Sequence, residues 1–274
     1  KSTNVSTGFE SLFENCPKLH TIEGSIFPEN SGVTSVGYMF YNCPALKNIP
    51  EDLFAPFGEA KLKFTATFAA CSSLEEIPAG LFASNPKAKQ FSETFADCVS
   101  LKSIPEGLLD ACADITTVKG MFHGCTALES IPEGLFANNV AITSFEKTFA
   151  ECTKLKSIPD DLFSSIGTKT SAVTFSQCFA ECASLESIPA GLFDTVRRIN
   201  YIDGCFENCR SLKGESPYTI ITAEDGTQTK VHLYERTKGT DFPNAPTSSS
   251  AHAGCFAGCI KLSDYKDMPD TWKN

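Results

Sequence analysis

Apolar residues recur at fixed phases along almost the whole chain. The unit reads F-x-x-C-x-x-L-x-x-I-P-x-x-L-F, and its cysteines return at steps of 27, 28, 27, 27, 27, 30, 27 and 50 residues. Of 22 phenylalanines, 20 fall in three columns of this repeat, and only Phe57 and Phe242 do not. A bulky residue confined to fixed phases indicates packing, so the pattern predicts a solenoid of about nine units in which each completes its neighbour's core. The repeat cysteines are Cys16, Cys43, Cys71, Cys98, Cys125, Cys152, Cys182, Cys209 and Cys259.

Each unit contains two short extended pieces joined by turns. Leu-x-x-Ile-Pro predicts a strand that proline closes, because proline cannot donate a hydrogen bond to a ladder. The following x-x-Leu-Phe predicts one turn of helix begun by that proline. A second extended piece, such as residues 142–145, precedes a brief turn or helix that carries Phe-x-x-Cys. Strands stacked in parallel about 4.8 Å apart give a rod or gentle arc of roughly 40 Å over eight steps.

The repeat pattern divides the chain into four parts. Residues 1–8 are a linker, residues 9–214 hold eight contiguous units, residues 215–253 interrupt them, and residues 254–274 return to a last unit. Within the interruption, residues 215–236 predict a β-hairpin around Glu224-Asp225-Gly226, and a loop rich in Thr, Ser, Pro and Gly follows to residue 251. Since terminal units must cover an open core, we favour a C-terminal cap on which Trp272 packs. An inserted binding element is the alternative.

The residue after each repeat leucine forms a second pattern, in which the charge alternates without exception over seven units. Stacked in register, these side chains form one column, where opposite neighbours stabilise by roughly 0.2–1 kcal/mol per pair. We favour a solvated ladder that fixes register over a charged stripe for a partner, because alternation leaves no net field. The members are Lys47, Glu75, Lys102, Glu129, Lys156, Glu186 and Lys213.

The 13 cysteines are too many to be incidental and odd in number, so at least one has no partner within the chain. The repeat cysteines predict a buried column of free thiols, since cysteine behaves as a small hydrophobe. Cys178, Cys205 and Cys255 share a second phase, which allows zinc at the adjacent pairs Cys178/Cys182 and Cys205/Cys209, or disulfides between units. The spacing C-x-x-x-C argues against zinc. Cys112 lies outside every column and is predicted to be a buried spacer residue.

Composition, charge and the motifs that are absent argue against several functional classes. The net charge of -10 disfavours nucleic acid and anionic membranes, which need Lys and Arg clusters. The sequence contains no run of 18 apolar residues, so we expect no segment that spans a bilayer. Nucleophile elbow, H-E-x-x-H and phosphate-loop motifs are absent, and the histidines His20, His123, His232 and His252 occupy unlike phases. We therefore expect no enzyme, no cofactor and no bound metal.

The repeat resembles the BspA-like class of bacterial leucine-rich repeats, which reads roughly C-x-x-L-x-x-I-x-x-P with an aromatic-x-x-Cys turn. The resemblance covers about residues 9–214 and 254–269, and departs from the class in the adjacent Ile-Pro and the 27-residue unit. The segment Y-T-I-I…K-V-H-L-Y-E-R is similar to the C-terminal part of gut-bacterial surface members. The resemblance implies a right-handed α/β leucine-rich-repeat superhelix, located outside a bacterial cell or on its outer surface after a signal segment not contained here.

Binding or adhesion is the function that this resemblance implies, with an unknown host or bacterial surface protein or glycan as partner and a monomeric state. A structural spacer without its own ligand is the alternative, favoured by the alternating charges and by a lack of exposed aromatic clusters. The concave strand face is the predicted partner surface. Its candidates are Lys47, Glu75, Lys102, Ser103, Glu129, Ser130, Lys156, Ser157, Glu186 and Ser187.

Overall fold

The computed structural model describes residues 8–24, 26–29, 32–167, 172–196, 198–236 and 251–274. Most of the predicted linker and most of the predicted loop, with Phe242, lie outside these ranges. Helices and strands are short, because most of the described residues lie in turns that are hydrogen-bonded to the turns of the neighbouring unit. They are a 3-10 helix Ala55–Phe57, strands β1 Val173–Thr174, β2 Ile199–Tyr201, β3 Tyr218–Thr222 and β4 Gln228–His232, a 3-10 helix Leu233–Glu235 and helix α1 Asp270–Lys273.

The two predicted extended pieces are present, but most are single bridged residues. One column joins Lys63, Gln90, Thr117, Ser144 and Thr174 in parallel, and β1 pairs with β2 in the same phase. The Ile-Pro column contains the parallel bridges Thr21↔Asn48 and Ser103↔Ser130.

The predicted helical turn after Ile-Pro is wrong in most units. The N–H of Leu81 donates to the carbonyl of Pro78 at 3.2 Å, and Leu53 and Leu162 bond to their prolines in the same way. These four-residue turns do not continue as helix. In two units a glycine follows in the left-handed region, Gly107 at φ 71° and Gly134 at φ 67°, where a right-handed helix cannot proceed. In the described residues only Ala55–Phe57 forms a helix at this phase.

The strongest connection between units is made by the eight residues that end at each repeat cysteine, called here the turn segment. Within it, alternate backbone N–H groups donate along the solenoid axis to the next unit. The N–H groups between them donate to the carbonyl three residues earlier and so close four-residue turns inside the unit. Each peptide group of the first kind donates forward and accepts from behind. In residues 64–71 the axial bonds are Phe64→Gln90, Ala66→Ser92, Phe68→Thr94 and Ala70→Ala96, at 2.7–2.9 Å.

Two residues of every turn segment occupy the left-handed region of φ and ψ. They stand five residues and one residue before the cysteine. In the third unit they are Ala66 at φ 50° and Ala70 at φ 60°. This conformation costs about 1–2 kcal/mol for a non-glycine residue. Nine units give eighteen such positions, and none contains a β-branched residue or proline. The ladder of axial hydrogen bonds therefore selects the sequence at phases that carry no apolar signal.

The phenylalanine three residues before each cysteine forms a continuous stack from Phe13 to Phe256. Neighbouring ring centroids are 5.3–5.8 Å apart and their planes lie within 3–9° of parallel. Trp272 continues the stack at 6.1 Å from Phe256. Each unit thus covers the ring of its neighbour, as the column pattern predicts. The right-handed course and the number of units stay predictions.

The repeat cysteines are buried free thiols, apart from the half-buried Cys16. Each described thiol from Cys43 onward in this column lies 2.9–3.3 Å from the carbonyl of the previous unit's stacked phenylalanine, to which it donates. Burial raises the pKa of Cys71 and Cys182 to about 12. The column therefore adds a weak hydrogen bond at every junction while packing as a small apolar group.

A second buried polar position lies four residues before the cysteine. Thr67, Thr94 and Thr148 each donate a hydroxyl hydrogen bond to a carbonyl of the previous unit at 3.0–3.1 Å. Cys178 and Cys205 occupy the same phase and are completely buried. Because Met39 and Met121 also occupy this phase and are completely buried, the site accepts apolar residues and small donors alike.

Cys112 belongs to a column, which corrects the prediction that it lies outside every column, whereas its predicted burial is confirmed. Phe57, which lies outside the three phenylalanine columns, occupies the same column as Cys112. They stand fourteen residues after a repeat cysteine, a phase that also contains the fully buried Asn85 and Asn139. Asn139 donates to the carbonyl of Cys112 at 2.8 Å, and the Cys112 thiol donates to that of Asn85 at 3.3 Å. Ile166 and Val196 follow at the same phase, so the column mixes apolar and polar residues, and a search for apolar periodicity detects only part of it.

Strands β3 and β4 form the antiparallel hairpin, with Gly226 at φ 83° in the turn. The hairpin lies against the seventh unit, where the N–H of Tyr218 donates to Ala190 at 2.9 Å and the buried Arg236 contacts Asp194 at 2.9 Å. The end of the phenylalanine stack is covered instead by Trp272 and α1, so a capping role for the hairpin itself stays a prediction.

Removing one ring from the stack should destabilise the whole solenoid. Phe122 lies between Phe95 and Phe149 at 5.8 and 5.7 Å. We expect Phe122→Ala to lower the free energy of unfolding by about 3–5 kcal/mol, measured by urea denaturation. The exposed Val99→Ala is the control and should change it by less than about 0.5 kcal/mol. Equal losses for the two variants would contradict a structural role for the stack.

The buried thiols should make the protein unfold at alkaline pH. Burial raises the pKa of Cys112 and Cys259 to about 12 and also raises the pKa of Cys98, Cys152 and Cys209, whereas an unfolded thiol ionises near about 8.5. Their contribution is complete below the unfolded pKa and is lost as pH rises toward the folded one. Each thiol removes about 1.4 kcal/mol per pH unit above about 8.5. Urea midpoints measured under reductant should therefore fall steeply from pH 8.5 to 10, and a flat profile would refute this explanation.

Candidate partner-binding surface

All ten predicted surface residues are exposed, and the structure places them in two adjacent columns. The N–H of Lys102 donates to the carbonyl of Glu75, and this bond repeats from unit to unit through Glu129, Lys156 and Glu186 at 3.0–3.3 Å. Because the backbone is bonded in parallel register, the side chains at this phase follow one another along the axis. The serine phase lies next to it, and Ser103 bridges Ser130 directly.

The charge column forms separate ion pairs rather than a continuous ladder. Lys102 contacts Glu75, and Lys156 contacts Glu129 at 3.1 Å. These lysines lower the pKa of Glu75 and of Glu129 by hydrogen bonding and charge. Among the described residues, Glu186 has no basic side-chain nitrogen within 4 Å. In each ion pair the lysine belongs to the unit that follows the glutamate. The backbone N–H of that lysine also donates to the backbone carbonyl of that glutamate.

A shallow open depression of about 280 Å³ lies at the N-terminal part of these columns. Its lining is polar and charged and contains no histidine or cysteine. This chemistry suits hydrogen bonding to a partner and provides no activated nucleophile. The lining residues are Lys47, Asn48, Ser73, Glu75 and Glu76.

Metal-ligating side chains do not gather in a cluster within the ranges that the structure describes. No cluster of three or more His, Cys, Asp or Glu side chains there could hold a metal ion. Cys182 and Cys209 are free thiols that donate to the carbonyls of Phe149 and Phe179, which disagrees with the zinc and disulfide alternatives. His252 stacks on Trp272 at 4.5 Å.

His232 lies in a polar cluster on the hairpin. Its Nδ1 is 3.2 Å from Glu235, and its Nε2 is 3.6 Å from Asp264. Asp264 is buried and accepts hydrogen bonds from the backbone and the side chain of Ser216. The hydrogen bonds from Ser216 to Asp264 join the residues before the hairpin to the last unit, whereas Nε2 of His232 is buried without a hydrogen-bond partner among the described residues.

Tyr38 and Tyr41 form an exposed aromatic pair that the sequence reading missed. Their ring centroids are 5.8 Å apart with an interplanar angle of 72°, and Tyr38 is 43% exposed. The expected lack of exposed aromatic clusters is therefore wrong. Both residues belong to a turn segment, at phases that point away from the phenylalanine stack. The available signal was the presence of two aromatic residues at phases where other units have small or polar ones.

Reversing one charge of the column tests its structural part. In Glu129→Lys the ion pair with Lys156 is lost and three lysines follow one another, so we expect a small decrease in the urea midpoint at low salt that 1 M NaCl removes. Glu133→Lys changes the net charge equally at an exposed residue outside the column and is the control. If both variants unfold at the same midpoint, the column does not contribute to register.

Comparison with known proteins gives a consistent class. The family model described as "BspA type Leucine rich repeat region" matches in 6 copies over residues 4–215 and 172–270. No curated protein sequence matches. No helix in the described part of the chain has the length and apolarity needed to cross a membrane.

Three solved structures illustrate the likeness. A leucine-rich cell surface protein from Faecalibacterium prausnitzii is 20% identical, with 75% of this chain and 68% of that chain covered and a TM-score of 0.29. A Treponema (T. pallidum) leucine-rich repeat protein is 18% identical, with 66% and 61% covered and a TM-score of 0.26. The ectodomain of a plant receptor kinase from Arabidopsis thaliana is 16% identical, with 73% and 27% covered and a TM-score of 0.34. The chain thus spans less than two thirds of the last two.

Proposed function

Because this chain belongs to the BspA-type leucine-rich-repeat family, we propose that it is an extracellular or cell-surface binding module of a bacterium. It presents a regular surface to a protein or glycan partner and is not an enzyme. The observation that carries the proposal is the pair of exposed columns that continues from Lys47 to Ser187 on hydrogen-bonded backbone. A right-handed superhelix of about nine units would place these columns on its concave face.

Rigidity supports the use of these columns for recognition. A binding site is most precise when its side chains stand on elements whose positions are fixed by packing. Here the backbone under Lys102, Glu129 and Lys156 is bonded to the neighbouring units, and the leucines beside them are fully buried. A partner would therefore meet side chains at a constant spacing with little backbone ordering to offset.

A spacer within a larger surface protein is the second candidate. The ion pairs Glu75–Lys102 and Glu129–Lys156 favour it, since they satisfy the charged groups within the column itself. The serine phase and the depression near Asn48 remain available to a partner, which favours the binding module.

Blocking the serine phase tests the binding function. We expect the double variant Ser103→Arg/Ser157→Arg to lose at least about tenfold in affinity for partners found by screening host matrix proteins, glycans and bacterial surfaces, because bulky side chains would cover the columns. Ala137→Arg/Ala183→Arg adds the same charge at exposed residues outside them. Binding that survives the serine variant would assign recognition to another face, and a chain that binds nothing in the screen would favour the spacer.

A further inference from the structure

The exposed side of the second turn segment contains an aromatic platform. Tyr41 is half-buried against Ala66, Ala69 and Ala96, which form an apolar cluster separate from the main core. Tyr38 stands edge-on to it and is 43% exposed. The alanines hold Tyr41 in place, so the pair is fixed before any ligand arrives.

A carboxylate is positioned beside these rings. The N–H of Asn15 donates to the carbonyl of Tyr41 at 2.8 Å, which places the first unit next to the platform. Asn42 donates a side-chain hydrogen bond to Asn15 at 2.6 Å, and Asn15 donates to Glu14 at 3.3 Å. Glu14 and Tyr41 both stand two residues before a repeat cysteine, so Glu14 is the neighbour of Tyr41 in the preceding unit, and the two asparagines join the units beside it.

The surrounding face carries only negative charge. The first four turn segments, residues 9–16, 36–43, 64–71 and 91–98, contain no lysine or arginine. Within the described residues, none of their carboxylates has a basic nitrogen within 4 Å. The acidic residues are Glu10, Glu14, Glu93 and Asp97.

We propose that Tyr38 and Tyr41, with Glu14 beside them, bind a lysine or arginine side chain from a basic segment of a partner protein. The face of a tyrosine ring attracts a cation through its quadrupole, and nearby carboxylates strengthen the attraction. Charge complementarity favours this occupant, because every charged side chain of the first four turn segments is acidic and the chain carries a net charge of -10. A neutral glycan would use the rings but leave the charge of the face uncompensated.

This inference rests on the proposed function in treating the chain as a protein-binding module, and it adds a contact on a different face from the Lys/Glu and Ser columns. The two can fail separately. If only the serine variant loses binding to a partner found in the screen, the platform has no role in that complex. Binding of the peptide can still be measured, because that assay needs no identified partner.

The test uses the full chain and a fluorescein-labelled arginine–glycine peptide, followed by fluorescence anisotropy. We expect Tyr38→Leu/Tyr41→Leu to weaken binding roughly two- to thirtyfold, the range given by one to two cation–π contacts. Tyr38→Phe/Tyr41→Phe retains the rings and should bind as the parent does. Tyr201→Leu removes an equally exposed tyrosine elsewhere and should have no effect.

Two further measurements complete the design. Because Tyr41 is half-buried, Tyr38→Leu alone is included as a variant that leaves the alanine cluster covered, and it should weaken binding in the same direction. Glu14→Gln should reduce affinity at low salt only. The proposal is overturned if Tyr201→Leu and the Tyr38 variants behave alike, or if a neutral cello-oligosaccharide rather than the peptide shows the dependence on the two rings.

Discussion

The axial hydrogen bonds of the turn segments are the constraint on which the rest of the structure depends. Each participating peptide group accepts from the unit before and donates to the unit after, so the bonds form chains along the solenoid, as they do in a helix. One of these chains passes from Phe13 through Phe68 and Phe149 to Phe256, whose N–H donates to Trp272. The distance between units is thereby fixed, and it is also a distance at which offset phenyl rings stack favourably.

Irregular spacing in the sequence is explained by the same constraint. The step of 30 residues before Cys182 and the step of 50 before Cys259 leave the turn segments intact, since Phe149 still donates to Cys178 and Phe206 to Cys255 at 2.8–2.9 Å. The hairpin formed by Tyr218–Thr222 and Gln228–His232, which belongs to the second of these insertions, lies outside the turn segments and against the seventh unit. Insertions are therefore tolerated wherever they do not interrupt the axial bonds. A change within a turn segment would displace both the stacked ring and the left-handed residues.

How far the sequence predicts this structure follows from what each column shares. Phenylalanine, leucine and cysteine repeat as residue types, so the solenoid, the buried thiols and the charge column could be inferred from periodicity. The column that contains Asn85, Cys112 and Asn139 could not, because it mixes these residues with the apolar Phe57, Ile166 and Val196 and so has no constant residue type. The prediction of a helical turn was wrong because the hydrogen bonds that follow the proline close separate four-residue turns and do not continue as a helix. The residues of the candidate surface lie in two columns, and their role in binding stays a prediction that rests on family and shape.

A scaffold of this kind separates stability from recognition. The stacked rings, thiols and buried amides lie inside, and the exposed phases contribute little to the core, so they can vary without disturbing the axial bonds. A perfectly periodic surface, however, offers a partner the same contact at every unit and so cannot fix its position. Specificity must come from phases where the repetition is broken. In the described residues the clearest breaks are the aromatic pair of the second unit and the hairpin at the seventh, where Arg236 and Asp194 hold two strands against an otherwise regular side. Recognition by this chain is therefore expected to depend on its exceptions, placed at defined positions by the regularity of the rest.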